Sequence, residues 1–138
     1  MRCDRPLAVD AIILYGGKMV LIRRGREPFK GMLALPGGFV KNDETVDQAV
    51  KREAKEETGL DTEVLCLVGV YSKPDRDPRG PVVSICHVLR ATGGIPRAGS
   101  DAAGIELHPS AGLPRLAFDH NRMIEDAGEC LSINATPL

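Results

Sequence analysis

Aromatic residues are scarce in this sequence. The chain has no tryptophan, two tyrosines and three phenylalanines, so aromatic side chains make up only 4% of its 138 residues. A planar ligand that stacks on a protein ring therefore has few candidate partners. Long apolar runs are also missing, since no segment approaches the roughly 18 apolar residues of a membrane-spanning helix. The charged N-terminal segment MRCDRPLAVD lacks the apolar core of a signal peptide, and these absences predict a cytoplasmic protein without a membrane partner.

Cysteine usage and charge exclude further classes. The four cysteines are widely spaced and form no C-x-x-C pair, so neither a zinc site nor a disulfide framework is expected. Cys66 and Cys86 lie in apolar runs, which predicts small buried side chains. The net charge of −1 gives no positive field that would attract a phosphate backbone, so nucleic acid is not an expected partner.

The residues that are present indicate one globular domain over residues 1–138. The hydrophobic fraction is 43% and the charged fraction 27%, as in ordinary folded proteins. The segment LAVDAIILYGGKMVLIRR predicts a hairpin that turns at Gly16-Gly17. TEVLCLVGVYS and PVVSICHVLRAT predict two further strands, whereas IELHPSAG is ambiguous.

Two helices are predicted. The first begins near Thr45, because Thr45 and Gln48 have the spacing of a capping box. The last helix is expected to cover AFDHNRMIEDA, with Phe118, Met123 and Ile124 on its apolar side.

The first helix carries acidic residues on its apolar side. With about 3.6 residues per turn, Glu53 and Glu57 fall on the face that also holds the apolar residues. These apolar residues are Val46, Ala49, Val50 and Ala54. An unpaired buried carboxylate is unfavourable or becomes protonated, and two close carboxylates also repel each other. Something must compensate their charge.

Two interpretations of these acids are open. The run KREAKEE is typical of a solvated helix with salt bridges, and Arg52 and Glu56 have i, i+4 spacing. The lysines, however, already occupy the solvent side of the helix. A divalent cation therefore explains better why Glu53 and Glu57 lie on the apolar side. Mg²⁺ takes carboxylate and phosphate oxygens, and it can activate a water for attack on phosphorus. Arg52 would then orient a glutamate without touching the substrate.

The same stretch resembles the Nudix box, G-x5-E-x7-R-E-U-x-E-E-x-G-U, in which U is an aliphatic residue. The positions in register are Gly38, Glu44, Arg52, Glu53, Ala54, Glu56, Glu57, Gly59 and Leu60. Ala54 is smaller than the aliphatic residue often found there. This many residues at fixed spacing make the match far more specific than a lone glycine motif.

The resemblance implies an α/β fold, namely the Nudix-type α/β/α sandwich with a mixed sheet. It also implies hydrolysis of a nucleoside diphosphate linked to another group, with Mg²⁺ or Mn²⁺ as cofactor. By this resemblance Glu53, Glu56 and Glu57 are the metal ligands and catalytic residues, and Arg52 holds them in place. The main chain of Gly38 is expected near the metal.

Other segments resemble the ADP-ribose pyrophosphatase subgroup, whose members cleave ADP-ribose to AMP and ribose 5-phosphate. These segments are PFKGMLALPGGFV, YSKPDRDPRG and LPRLAFDH. The chain departs from the subgroup at Leu33, Pro81 and Leu107, where tryptophan, histidine and an aromatic residue are common. The resemblance implies a small nucleoside diphosphate derivative as the binding partner, and homodimers are common in the family.

Substrate-binding residues are predicted outside the box. Arg76 and Arg79 are candidate phosphate ligands, because guanidinium groups bind phosphate bidentately. Their alternative role is simple pairing with the neighbouring aspartates. Phe29 is the candidate platform for adenine, while Phe118 is expected in the core.

The catalytic base stays open at this point. It is either a box glutamate or an acid from the later loop, Asp101 or Glu106, although ordinary solvated acids are common in such loops. Glu44 is equally open between a position near the metal and a role at the helix N-terminus.

Two rival functions remain. One is a housecleaning pyrophosphohydrolase that acts on oxidised or non-standard nucleoside triphosphates. The other is a non-catalytic nucleotide sensor, against which the intact box and the lack of a segment for a second module argue.

Overall fold

The computed structural model of the protein describes residues 1–134. Within this range the chain forms a mixed sheet of seven strands and three helices. The elements are β1 (Leu7–Tyr15), β2 (Lys18–Arg24), β3 (Leu33–Ala34), β4 (Gly37–Phe39), α1 (Val46–Thr58), β5 (Leu60–Tyr71), β6 (Val83–Gly94), β7 (Ala102–His108), α2 (His120–Asp126) and α3 (Gly128–Ile133). The strand order is β3-β2-β1-β6-β5, β4 also pairs with β1, and β7 pairs with β2.

The first two strands form the expected hairpin, and they separate from each other beyond the turn. Gly16 and Gly17 have φ angles of 56° and 78°, which suit the tight turn between twisted strands. β1 and β2 pair directly next to this turn. Farther along, β4 pairs with the start of β1 and β3 pairs with the end of β2. The segment from β3 to β4 is thereby inserted between the two strands, with Gly37-Gly38 beside β1.

Helices cover both faces of the sheet, so the predicted α/β/α sandwich is confirmed. β1 and β6 are parallel, and the other paired strands are antiparallel. Side chains alternate along β1: Ala11 and Ile13 pack toward α1, whereas Ile12 packs with Met123 of α2. Asp10 therefore lies on the α2 side of the sheet.

α1 begins and ends on specific capping residues. Thr45 Oγ1 accepts the N–H of Gln48 at 3.1 Å, and the Gln48 side chain accepts the N–H of Thr45 at 2.8 Å. The predicted capping box is therefore present. At the other end Gly59 has a φ of 76° and donates to the Lys55 carbonyl at 2.9 Å. Both ends are fixed, which sets the position of the acidic residues in the last turns.

The C-terminal part differs from the predicted single helix. α2 starts at His120, and Phe118 precedes it with a φ of 54°, so Phe118 does not belong to a helix face. Met123 and Ile124 are buried as expected. The ambiguous stretch near Leu107 is strand β7. None of the helices found in residues 1–134 is long and apolar enough to cross a membrane.

A disulfide joins Cys66 of β5 to Cys130 of α3. The expectation that the chain has no disulfide is therefore wrong, and Cys66 is not a simple buried hydrophobe. Cys86 is buried and unpaired, as predicted. The bonded cysteines are 64 residues apart, and they meet only because α3 packs against the sheet, which residue spacing does not reveal.

We expect Cys130→Ser to lower the free energy of unfolding under non-reducing conditions by about 2–4 kcal/mol, because a disulfide restricts the unfolded chain. Urea denaturation of the parent and the variant, each with and without dithiothreitol, measures this difference. Cys3→Ser removes an exposed free cysteine and is the matched control. Equal stability of the parent and Cys130→Ser without reductant would contradict the bond.

Candidate active site

Glu53 and Glu57 lie on the sheet-facing side of α1, as the helical phase predicted. Ala49, Val50 and Ala54 on this side are fully buried. Glu53 and Glu57 are partly buried near the end of the helix, whereas Glu56 is exposed. The inward side of α1 is therefore divided between apolar packing and carboxylates.

Arg52 connects the acidic residues of this region. Its Nε and Nη2 donate to the two carboxylate oxygens of Glu44 at 3.0 and 2.6 Å. Its Nη1 donates to Glu53 at 2.6 Å and to Glu56 at 3.2 Å. Nη2 also donates to the Phe39 carbonyl at 3.0 Å, which ties α1 to β4. Arg52 therefore orients Glu53 while also forming the i, i+4 pair with Glu56.

Glu44 supports this arrangement from the loop before the helix. Besides binding Arg52, its carboxylate accepts the N–H of Lys41 at 2.8 Å. The hydrogen bonds from Arg52 and Lys41 lower the pKa of Glu44 to about 2. Glu44 thus stays ionised and holds the guanidinium of Arg52.

Two glycines of β4 let the backbone approach the carboxylates. A Cβ on Gly38 would collide with the carboxylate of Glu53, and a Cβ on Gly37 would collide with the Val9 carbonyl and the Asp10 side chain. The N–H of Gly37 donates to Glu57 at 3.1 Å. The main chain of Gly37-Gly38 therefore lies directly against the acidic end of α1.

The ionised forms of the inner glutamates are unfavourable in this environment. Burial raises the pKa of Glu57 to about 8, and the charges of Glu53 and Asp10 add to this effect. The N–H of Gly37 and the charge of Arg24 only partly oppose it. Burial also raises the pKa of Glu53, despite its ion pair with Arg52. These carboxylates need a further positive partner near neutral pH.

Glu57 borders a pocket of about 80 Å³, called the inner pocket below. The pocket lies where β1, β2 and β4 meet the loop of residues 72–82. Its lining combines the acidic side chains of Asp10, Asp77 and Glu57 with the basic side chains of Arg24, Arg76 and Arg79. A lining that carries both charges suits a ligand that brings a cation and an anion together.

A larger cleft of about 740 Å³ lies at the other end of β1 and β6. Its lining includes Tyr15, Leu60 and Arg90, but no carboxylate from residues 1–134. It therefore lacks the acidic groups that the predicted chemistry requires, and the smaller inner pocket is the better candidate site.

The two arginines that were predicted to bind phosphate differ in their surroundings. The Arg76 side chain is only 5% exposed, and its Nε and Nη2 donate to Asp119 at 2.9 and 2.7 Å. The Arg79 side chain is 50% exposed, although Asp77 binds its Nε at 3.1 Å and its Nη2 at 2.8 Å. Both arginines line the inner pocket and both are held by an aspartate, so the difference is exposure: the half-exposed Arg79 is the more accessible to a ligand.

Arg24 is a pocket residue that sequence reasoning missed. Its Nε donates to the Pro28 carbonyl at 2.6 Å, so the guanidinium is held in place. Burial lowers the pKa of Arg24, and the nearby charge of Arg79 lowers it further. Two repelling guanidinium groups in one pocket favour an anionic ligand between them.

A buried network around Asp10 forms the floor of the pocket. The N–H of Leu35 donates to Nδ1 of His120 at 3.0 Å, which leaves Nε2 to face Asp10 at 3.3 Å. Ser84 Oγ donates to Asp10 at 2.5 Å, and Arg76 lies 3.9 Å away. Burial alone would raise the pKa of Asp10, but these partners hold it below its ordinary value. An aspartate inside the apolar run AVDAII was the signal that could have found it.

The aromatic residues that line the inner pocket are Phe39 and Phe118, and the predicted Phe29 is not among them. Phe29 does not line the pocket, and its ring packs edge-on against Phe118 with centroids 4.8 Å apart. Phe118 does line the pocket, with the Arg24 guanidinium 5.0 Å from its ring centroid. Phe39 lines it too and is 48% exposed. Phe29 as the adenine platform stays a prediction, and Phe39 and Phe118 are the aromatic residues that line the inner pocket.

Asp101 and Glu106, the alternative bases, do not line the inner pocket. Arg26 donates to Asp101 at 2.5 Å. Glu106 forms an ion pair with Arg23 and lies 3.1 Å from His108 Nε2. Both acids thus have ordinary partners on the surface around β7.

The acidic end of α1 fits a hard divalent cation. Its donors are carboxylate oxygens, and a nearby cation would favour the ionised forms of Glu53 and Glu57, whose pKa values burial raises. As the side chains stand, no three acidic, histidine or cysteine residues in the described part of the chain converge as ligands. The reason is local: Glu53 is turned to Arg52 and Glu57 to Gly37.

Comparison with known proteins extends these observations. The family model of the NUDIX domain matches residues 4–127. The ADP-ribose pyrophosphatase of Methanocaldococcus jannaschii is 55% identical over 120 residues, which covers 87% of this chain and 71% of that protein.

Two solved structures share the fold. The NUDIX domain of Shewanella oneidensis NrtR, complexed with ADP ribose, has a TM-score of 0.78 and 31% identity, with 94% of this chain and 90% of that chain covered. A bifunctional NMN adenylyltransferase/ADP ribose pyrophosphatase from Francisella tularensis, complexed with AMP and a manganese ion, has a TM-score of 0.82 and 26% identity. The match covers 92% of this chain and 42% of that chain. With its box, its sandwich fold and its match over residues 4–127, this chain belongs to the NUDIX domain family.

Proposed function

We propose that this protein hydrolyses the diphosphate bond of ADP-ribose or a related nucleoside diphosphate sugar in the presence of Mg²⁺. With ADP-ribose the products are AMP and ribose 5-phosphate. The observation that supports this most is that the carboxylate-bearing Glu57 lines the same pocket as Arg24 and Arg79. The M. jannaschii relative named for this activity supports the choice of substrate.

Glu53, Glu56 and Glu57, together with the backbone of Gly38, are the residues that we propose as holders of the cation. A bound Mg²⁺ or Mn²⁺ would polarise the phosphorus and make a coordinated water more acidic. The F. tularensis neighbour contains manganese, and Mg²⁺ is our choice because it prefers carboxylate and phosphate oxygens. Release of Glu53 from Arg52 would let its carboxylate turn toward the metal.

The remaining residues of the site position the substrate. Arg24 and Arg79 bind the phosphate oxygens, since their side chains line the pocket and guanidinium groups bind phosphate well. Arg76 acts indirectly, because it holds Asp119 and lies beside Asp10. We place the catalytic base among the box glutamates, because one of them, Glu57, lines the inner pocket whereas Asp101 and Glu106 do not.

A non-catalytic sensor is the second candidate, because the similar NrtR domain binds ADP ribose. The complete set of Arg52, Glu53, Glu56 and Glu57 favours hydrolysis. A cytoplasmic location and a homodimer remain part of this proposal.

A substrate panel tests the proposed activity. With Mg²⁺ we expect ADP-ribose to yield AMP and ribose 5-phosphate, and nucleoside triphosphates to release little pyrophosphate. Glu53→Gln should abolish turnover, because it removes a charge that holds the cation. Glu125→Gln, a change at an exposed residue of α2, is the matched control. Binding of ADP-ribose without any product would favour the sensor, and pyrophosphate release from triphosphates would favour the housecleaning enzyme.

The pKa of Glu57 predicts how pH affects the metal-free and Mg²⁺-bound protein. In the metal-free fold this pKa is about 8, against an ordinary value of 4.5. The stabilising contribution of the protonated group is therefore complete below about pH 4.5 and is lost as the pH rises through about 8. Because Mg²⁺ binds the ionised carboxylate, we expect it to raise Tm more at about pH 9 than at about pH 6.

Thermal melts with Mg²⁺ or EDTA across this pH range measure the effect. Glu57→Gln should lose most of the pH-dependent part of the Mg²⁺ stabilisation, whereas Glu125→Gln should retain it. An equal Mg²⁺ shift in Tm at both ends of the range would contradict a role for Glu57 in holding the cation.

Substitution of lysine for each arginine of the DRDPRG loop keeps the positive charge but removes the planar guanidinium group. The two substitutions should have different effects. Arg79→Lys should raise KM for ADP-ribose about tenfold, because a charge-assisted hydrogen bond to phosphate is lost. Arg76→Lys should instead lower the free energy of unfolding by about 1–3 kcal/mol, because the buried bond to Asp119 is lost. Steady-state kinetics and urea denaturation separate the two. A higher KM for Arg76→Lys at unchanged stability would place Arg76 on the substrate after all.

A further inference from the structure

The inner pocket is too small for a whole nucleotide. Its volume is about 80 Å³, whereas pockets for ligands of this size hold roughly 300–1,000 Å³. A second cavity of about 670 Å³, called the outer pocket here, is lined by residues 4–6, 39 and 79–82. Phe39, Arg79 and Val82 line both cavities, so the outer pocket continues directly from the inner one.

Phe39 is the aromatic residue best placed to meet a ligand there. The chain has only five aromatic residues, and all lie within residues 1–134. Tyr71 donates its hydroxyl to Asp126, and Tyr15 lines the distant large cleft. Phe29 and Phe118 pack edge-on against each other. Phe39 is left with 48% of its surface exposed at the junction of the pockets.

Arg79 marks the boundary between the two cavities. Asp77 clamps its guanidinium through both carboxylate oxygens. The guanidinium lies 5.9 Å from the ring centroid of Phe39 and 5.9 Å from that of Phe118. A phosphate bound by Arg79 would therefore place the next part of the ligand near either ring, and of these two rings only Phe39 lines the outer pocket.

We propose that the outer pocket binds the nucleobase of the substrate, stacked on Phe39, while the diphosphate lies in the inner pocket between Arg79 and Glu57. This assignment rests on the proposed function, because it takes a nucleoside diphosphate as the ligand. An exposed aromatic ring beside a charged site is suited to a planar partner, which covers its apolar face. The side chain of Phe39 is separable from the acidic site, because Arg52 binds only its main-chain carbonyl.

The test compares two small ligands that differ in the base. Binding of AMP and of ribose 5-phosphate to Phe39→Ala, Phe39→Trp and the parent is measured by NMR titration without metal. We expect Phe39→Ala to weaken AMP binding about tenfold, as for other bases stacked on aromatic side chains, and to leave ribose 5-phosphate binding unchanged. Phe39→Trp should bind AMP at least as tightly as the parent. Leu67→Ala, at an apolar residue of β5 that is 61% exposed and lines neither pocket, is the matched control.

Kinetics with ADP-ribose and Mg²⁺ then separate this inference from the proposed function. A higher KM for Phe39→Ala, with a much smaller change in kcat, supports the base site. Equal AMP binding by Phe39→Ala and Leu67→Ala overturns it, and so does an equal loss of AMP and ribose 5-phosphate binding. If AMP binding depends on Phe39 but ADP-ribose is not hydrolysed, the base site stands and the proposed hydrolysis fails.

Discussion

Desolvated carboxylates at the end of α1 are the constraint on which the rest of the site depends. Glu53 and Glu57 face the sheet because the phase of the helix puts them there, and burial makes their ionised forms unfavourable. Arg52 offsets part of this cost and is itself held by Glu44. Gly38 is needed because the Glu53 carboxylate occupies the space that a side chain would fill. The remaining need for positive charge is what makes this region suited to a metal ion.

Partners within the protein hold the charged side chains of the pocket beside this region in place. Asp10 is held by Ser84 and His120 on the floor, and Arg79 is clamped by Asp77 at the rim. Asp10 and Arg79 therefore have fixed directions before a ligand binds, whereas Glu53 has to leave Arg52 to reach a cation. Because the lining carries both charges, it is suited to a diphosphate with a bound cation, which also carries both.

The Cys66–Cys130 disulfide is unusual for a protein with the predicted cytoplasmic location. Disulfides persist in oxidising compartments and are rare in the cytosol, with the intracellular proteins of hyperthermophiles as the main exception. The bond connects β5 to α3, the helix that follows α2, and His120 at the start of α2 supports Asp10. The disulfide therefore stabilises the layer that carries the floor of the pocket.

The sequence by itself determined the features that depend on near neighbours along the chain. The glycine hairpin, the capping box of α1, and the inward phase of Glu53 and Glu57 follow from turn chemistry and from the helical repeat, and the structure has all three. The spacing of the box also brought the correct family and fold, because its residues lie on one continuous loop and helix. Elements that depend on distant partners have weaker signals in the sequence. The last helix was therefore predicted to start too early, and the segment that contains β7 was left ambiguous.

Only the tertiary structure decided which distant residues meet. It joined Cys66 to Cys130, brought Asp10 of β1 against His120 of α2, and placed Arg24 of β2 beside Arg79. It also gave Arg76 and Arg79 different partners although they are three residues apart, and it put Phe39 at the pocket where Phe29 had been expected. The physical reason is that such contacts depend on how strands separate and helices pack, whereas a residue's type and position in the sequence report only its local preferences.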